Sequence, residues 1–163
     1  MGYTHYWKFK EVKPIKGQHP EIEKMYQLGI RQCQRIIKAY NSQFEKGDDR
    51  RLSGYSAHTK VNDYLGLDVN GVKDNSHETF SFRDHWSSNE SFNFCKTARK
   101  PYDIVVVACL ITMQYYMGDL LQVSSDGDVS DWNNGMKLAK KVLKIKGLKI
   151  PQNIRYPELE VVS

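Results

Sequence analysis

Three basic side chains and a hydroxyl crowd into five residues of this chain: Lys96, Thr97, Arg99 and Lys100, directly ahead of Pro101. Proline suits the first position of a helix, so the segment reads as a helix start. Unpaired N–H groups at a helix N-terminus attract anions, and neighbouring Lys and Arg add charge and directional donors. The chemistry this suits is capture of a phosphate-bearing ligand. It is not a nucleotide-binding glycine loop, because the Gly-x-x-x-x-Gly-Lys spacing is absent. The competing reading is a solvated basic turn in which Asp103 pairs Arg99 or Lys100.

A second candidate lies at the N-terminus. Tyr3, His5 and Trp7 alternate with Thr4 and Tyr6, which puts the first three on one face of a strand. Planar rings stack on a nucleobase, and an imidazole donates or accepts towards a ribose. The plainer alternative is that these aromatics are core packing. Ser125 and Asp126 sit in the turn Ser124-Ser125-Asp126-Gly127-Asp128, where they serve turn chemistry or contact a ribose hydroxyl.

Catalytic and metal chemistry have weaker signals. The five histidines, His5, His19, His58, His77 and His85, show neither His-x-His nor His-x-x-x-His spacing. Convergence of His77, Glu78, Asp84 and His85 across a hairpin would need fortunate geometry. The acidic turn at Asp126 lacks the glutamate of a calcium loop; Lys137 stands at that position. No Gly-x-Ser-x-Gly elbow is present. Cys95 beside Lys96 and Arg99 has neighbours that favour a lowered pKa. No catalytic residue, metal or cofactor is expected from these patterns. Lys137, Lys140, Lys141 and Lys144 form a stripe that suits nucleic-acid phosphates, although most such stripes are solvated faces.

These residues need elements to position them. Alternation over the first ten residues predicts a strand. Pro20, with Glu21 and Glu23 in the first turn, opens an amphipathic helix reaching about Asn41. The pattern fails from about 42 to 60, which reads as a mobile or functional loop. Tyr64 to Val72 is β-like and holds the turn signal Asn70-Gly71. Phe80/Phe82 and Phe92/Phe94 read as neighbouring strands of a long-tipped hairpin. Residues 102–117, apolar on nearly every face, predict a central buried helix. Leu120, Leu121 and Val123 make a short strand. A last helix runs from about Trp132 to Lys146, capped by Ser130 or Asp131 and closed by Gly147. An irregular tail follows at about 148–163. The expected fold is α+β: one domain over 1–163, an antiparallel sheet packed with about three helices.

Composition sets the bounds. The 163 residues are 40% hydrophobic and 26% charged, near a soluble globular average, so disorder and coiled coil are disfavoured. Aromatics reach 12%, and 24 Lys+Arg against 19 Asp+Glu leave +5, which favours anionic partners. The apolar run Ile104 to Met113 is about half of a bilayer crossing. The N-terminus shows no secretory signal, and Tyr6 stands where a myristoylation motif wants Ser or Thr. Cys33, Cys95 and Cys109 form no Cys-x-x-Cys pair and read as reduced, buried thiols of a cytoplasmic protein.

Gly-Tyr-Thr-His-Tyr-Trp at 2–7 and Phe-Cys-Lys-Thr-Ala-Arg-Lys-Pro-Tyr-Asp at 94–103 together resemble a family of small proteins encoded by phages and prophages. Ser-Ser-Asp-Gly at 124–127 and Asp131-Trp132 fit the same pattern, whereas Ser42 to Val72 carries none of it. The resemblance implies a phage context and supplies no catalytic residue. The leading expectation is a binding protein that sequesters a nucleotide-derived bacterial immune signal, a cyclic dinucleotide or an ADP-ribose derivative, in the host cytoplasm. A phosphoester- or nucleotide-hydrolysing enzyme with His5 or His77 as acid–base is the alternative. An interaction module for a host protein or nucleic acid ranks third. No membrane is expected as a partner, and a homo-oligomer is left open.

Overall fold

The computed structural model of the chain describes residues 2–10, 20–53, 66–83 and 92–157. Its elements are β1 (Thr4–Phe9), α1 (Pro20–Asn41), β2 (Leu67–Val69), β3 (Phe80–Phe82), β4 (Phe92–Lys96), α2 (Asp103–Met117), β5 (Leu121–Ser125) and α3 (Val129–Leu143). The α+β expectation holds: three helices pack with two antiparallel sheets among the described residues.

The centre is α2. Ten of its 15 residues are buried, because a helix apolar on all faces gains nothing from a solvent side. The stretch Asp103–Leu120 has a mean hydropathy of 1.3, enough by composition for a membrane span, but 56% of it is buried within this fold. Both amphipathic helices pack on it. α1 turns Tyr26, Ile30, Cys33, Ile36 and Ile37 inward, and α3 contributes Trp132, Leu138, Ala139 and Leu143.

Strand β1 lies in the middle of a sheet ordered β4-β1-β5 and is antiparallel to both neighbours. Its odd-numbered residues His5, Trp7 and Phe9 are fully or nearly buried, whereas Lys8 is exposed. This is the period-two pattern of a strand with one face on the core.

Several local expectations are corrected. Phe80–Phe82 and Phe92–Lys96 do not pair with each other: β3 pairs β2 in a separate sheet, and β4 joins β1. Asn70-Gly71 is no two-residue hairpin turn but opens the longer connection from β2 to its antiparallel partner β3; Asn70 bridges to Ser53, and its side-chain amide donates to His77 O and Thr79 Oγ1. The first part of the predicted loop is tied down, since Asn41 Oδ1 accepts from the Leu52 N–H at 2.8 Å. Residues 54–60 of that loop and Tyr64 lie outside the described residues, as do Asp84 and His85. Helix α3 starts one turn earlier than expected. Asp128 is its N-cap and Asp131 completes a reciprocal capping box, so the last residue of the turn takes the helix end. The irregular tail is anchored to the body: Leu148 and Ile154 are buried, and Arg155 O accepts from the Val129 N–H at 2.7 Å.

Candidate functional site

The segment 96–100 does not present a cradle of free N–H groups. The Lys96 N–H donates to Glu78 Oε2, those of Thr97 and Ala98 both donate to Tyr3 O, and that of Lys100 donates to Thr97 O. The Asp103 N–H donates to Lys100 O at 2.9 Å. Pro101 lies in this turn, and the helix begins two residues later. A chain that must cross from β4 to α2 against β1 uses its own carbonyls first.

That crossing has an unusual conformation. Ala98 and Arg99 both adopt left-handed backbone, with φ of 51° and 57°. Together with the Thr97–Lys100 hydrogen bond they form a tight turn of the kind normally built from Asn and Gly. Each left-handed non-glycine residue costs about 1–2 kcal/mol. The turn aims Arg99 back over the N-terminus: its guanidinium carbon stands 4.1 Å from the Tyr3 ring centroid, and Nη1 donates to Asp131 Oδ1 at 2.6 Å. The Asp131 carboxylate beside it holds the guanidinium pKa above its ordinary value.

Gly2, Tyr3, Ala98, Arg99 and Asp126 line a cleft of about 310 Å³. Asp126 is fixed there by the Thr4 N–H at 3.1 Å and the Tyr6 hydroxyl at 3.1 Å. The Lys96 ammonium lies over Gly2, close enough that a Cβ there would sit 3.1 Å from Nζ. Tyr3 is only 4% exposed. Its hydroxyl lies near Ser125 and Gly127 without a hydrogen bond of good geometry. Gly127 is required at that spot, since a Cβ would stand 2.5 Å from the Tyr3 hydroxyl. Burial above all, then the Asp103 and Asp131 carboxylates, push the Tyr3 phenol upward, with Arg99 opposing in part. The ring is therefore a neutral wall of the cleft.

Beneath the cleft runs a buried polar chain. His5, fully buried, places Nε2 at 2.6 Å from Asp103 Oδ1 and Nδ1 at 2.8 Å from Ser125 Oγ. Thr97 Oγ1 donates to the same Asp103 oxygen at 2.6 Å. Asp103 only accepts, so Nε2 carries a proton towards the carboxylate, while Nδ1 shares its 2.8 Å hydrogen bond with the Ser125 hydroxyl. This serine–histidine–aspartate order is that of a nucleophile relay. Its surroundings are not, because the nearby N–H donors are already engaged. Gly127 N–H donates to Ser125 Oγ itself, Asp126 N–H to Thr4 O, and Asp128 N–H to Asp131 Oδ2. Those groups cannot also stabilise an oxyanion. The chain acts as a clamp joining β1, β5 and the start of α2.

The predicted residues thus separate into three groups. Tyr3, Arg99 and Asp126 converge on the cleft, with Lys96 at its mouth. His5, Thr97 and Ser125 form the clamp below. Trp7 stands apart, 2% exposed and packed on Phe80 and Phe82 at 5.1 and 5.7 Å, so its indole has no open face for a ligand. Lys100 is half-buried and does not line the cleft. Asp103 does not pair Arg99 or Lys100, because the buried imidazole and Thr97 hydroxyl claim it. Cys95 is not activated either: burial, then Glu78 and Asp103, push its thiol up to about 12. Nothing in the sequence marks Gly2, Ala98 or Asp131 as part of the site. The backbone twist that makes the last two so leaves no mark in residue types.

A larger groove of about 470 Å³ opens elsewhere, between Tyr115, Gly118, Leu121 and the segment 147–153. Its charged rim, Lys10, Asp119 and Lys149, is solvent-exposed, and none of the three is ion-paired among the described residues. The smaller cleft is the better-built site. The chain matches no family model, no curated protein and no solved structure.

Proposed function

We propose that the chain is a binding protein for a small anionic, nucleotide-derived ligand, held in the cleft between Tyr3, Arg99 and Asp126. The observation that carries this reading is the pair of left-handed residues Ala98 and Arg99. Backbone strain of this kind persists where it positions something, and here it positions a guanidinium over an aromatic ring beside an anchored carboxylate. Arg99 gives one donor nitrogen to Asp131 and keeps others for a phosphate, with Lys96 as the second cation. The outer face of the stacked guanidinium suits a base, and each Asp126 oxygen keeps a lone pair for ribose hydroxyls. A volume of about 310 Å³ matches one nucleotide moiety at the lower end of small-molecule sites.

The resemblance to phage-encoded proteins supports a setting for such a binder: sequestration of an immune signal in the cytoplasm of an infected bacterium. Tight binding of the ground state serves that task, whereas turnover requires preferential binding of the transition state. The Ser125–His5–Asp103 order favours a second reading, hydrolysis of a phosphoester or nucleotide.

Calorimetry with ADP-ribose and with cyclic di-AMP tests the binder. Arg99→Ala is expected to weaken the ligand by about 1.5–3 kcal/mol, the scale of a charged hydrogen bond. Bound nucleotide released by heat should be chemically intact and in fixed ratio to protein. A cleaved product accumulating beyond one equivalent, and lost in Ser125→Ala, would replace the binder by the enzyme.

A further inference from the structure

The β4-β1-β5 sheet turns its second face away from the helices, and that face carries aromatic rings. The register sets Tyr6 opposite Phe94, Lys8 opposite Phe92 and Thr4 opposite Lys96. Phe92 is 62% exposed and Phe94 58%. Tyr6 stacks on Phe92 with centroids 6.1 Å apart and planes 27° from parallel, and Phe92 lies 6.3 Å from Phe94. The Tyr6 hydroxyl is tethered to Asp126, which holds its ring in place. Single exposed apolar residues are ordinary, but three adjoining rings on a solvent face call for a partner.

Cations frame the rings. Lys8 and Lys10 are exposed, and neither is ion-paired among the described residues. Lys96 closes the other end of the row.

We propose that this face is a stacking platform for single-stranded nucleic acid. Tyr6, Phe92 and Phe94 would take successive bases, and Lys8, Lys10 and Lys96 the phosphates that run beside them. Rings interleaved with cations are what a sequence-tolerant strand needs, because every base has a π-face and every linkage a charge. A duplex hides its bases and leaves the rings without a role. A second copy of the chain is a poorer occupant: a two-fold contact would set this lysine row against itself. The platform adjoins the nucleotide cleft at two points, Lys96 and the hydrogen bond from the Tyr6 hydroxyl to Asp126.

Fluorescence anisotropy with a labelled oligothymidylate of about 15 nucleotides tests the platform. Saturable binding is expected at low salt, weakening steadily as salt rises, with a duplex of equal length about tenfold weaker or more. Phe92→Ala/Phe94→Ala should weaken the single strand by about tenfold or more without changing the melting temperature, and Phe92→Tyr/Phe94→Tyr should retain it. Lys8→Glu/Lys10→Glu should weaken it and flatten the salt dependence. Absence of binding, or unchanged affinity in the double-alanine variant, overturns the proposal. Equal affinity for duplex would reduce the face to non-specific charge and also overturn it. A dimer in sedimentation that Phe92→Ala/Phe94→Ala dissociates would assign the rings to self-association instead.

Discussion

Single residues carry two unusual burdens in this molecule, a shared carboxylate and a strained turn. Asp103 Oδ1 accepts from both His5 and Thr97, and both of those are fully buried. Removing it strands two buried polar groups, each worth about 1–3 kcal/mol, so Asp103→Ala should cost about 2–6 kcal/mol in urea unfolding. A loss below about 0.5 kcal/mol would mean the clamp is idle. Ala98 makes the opposite prediction. Alanine to glycine usually destabilises, but at φ 51° the side chain opposes the native backbone. Ala98→Gly should raise stability by up to about 1 kcal/mol, read as a higher melting temperature. It should also loosen Arg99 and weaken ligand binding, which separates a strain that serves binding from one that serves the fold.

At the scale of elements the fold depends on how closely α2 and α3 approach. Gly135 of α3 faces Val107 so tightly that a Cβ would stand 2.3 Å from Val107 Cγ1. Gly135→Ala should therefore destabilise by about 1–3 kcal/mol despite the better helix propensity of alanine. Val106, fully buried on α2, offers a harsher test. Val106→Asp places an unpaired charge in the core at a cost of several kcal/mol and should leave the protein insoluble or unfolded. Normal melting of that variant would show that α2 is not the central element.

For the whole molecule, the shared feature is how many ionisable groups are buried in neutral form. Burial pushes the Cys95 thiol up to about 12 and raises Cys33, Tyr3 and Tyr102 as well. Each is an acid whose charged form is disfavoured in the fold. In the unfolded chain the thiols ionise near their ordinary value of 9.0, so above that pH the unfolded state holds fewer protons. The stabilisation is thus complete below about pH 9 and is lost as pH rises towards about 12. Urea midpoints should be level from neutral to pH 8.5 and fall by pH 10.5; an unchanged midpoint would contradict the burial of these groups. The same burial predicts that native protein resists thiol reagents that label the unfolded chain at once.

Periodicity by itself determined the helix at Pro20–Asn41, the buried helix near 102–117 and the first strand, because a 3.6 or a two-residue repeat follows directly from which face meets the core. Residue types mark Tyr3, Lys96, Arg99 and Asp126 as chemically equipped side chains, and the fold brings these four to one cleft. Pairing of strands was beyond periodicity: Phe80/Phe82 and Phe92/Phe94 have the same alternation, and nothing local says that one pair belongs to β2 and the other to β1. The fate of His5 and Trp7 was hidden for a similar reason, since both stand on the inward face and only their neighbours, Asp103 and Ser125 for one and Phe80 and Phe82 for the other, set what each does. Tertiary structure alone decided that the basic segment spends its N–H groups on Tyr3 and Glu78, and that Arg99 points back over the N-terminal strand. Those choices come from contacts that span 18 residues for Glu78 with Lys96 and about 95 for Tyr3 with Thr97 and Arg99, where the energy lies in packing and hydrogen bonding across elements and no local pattern records it.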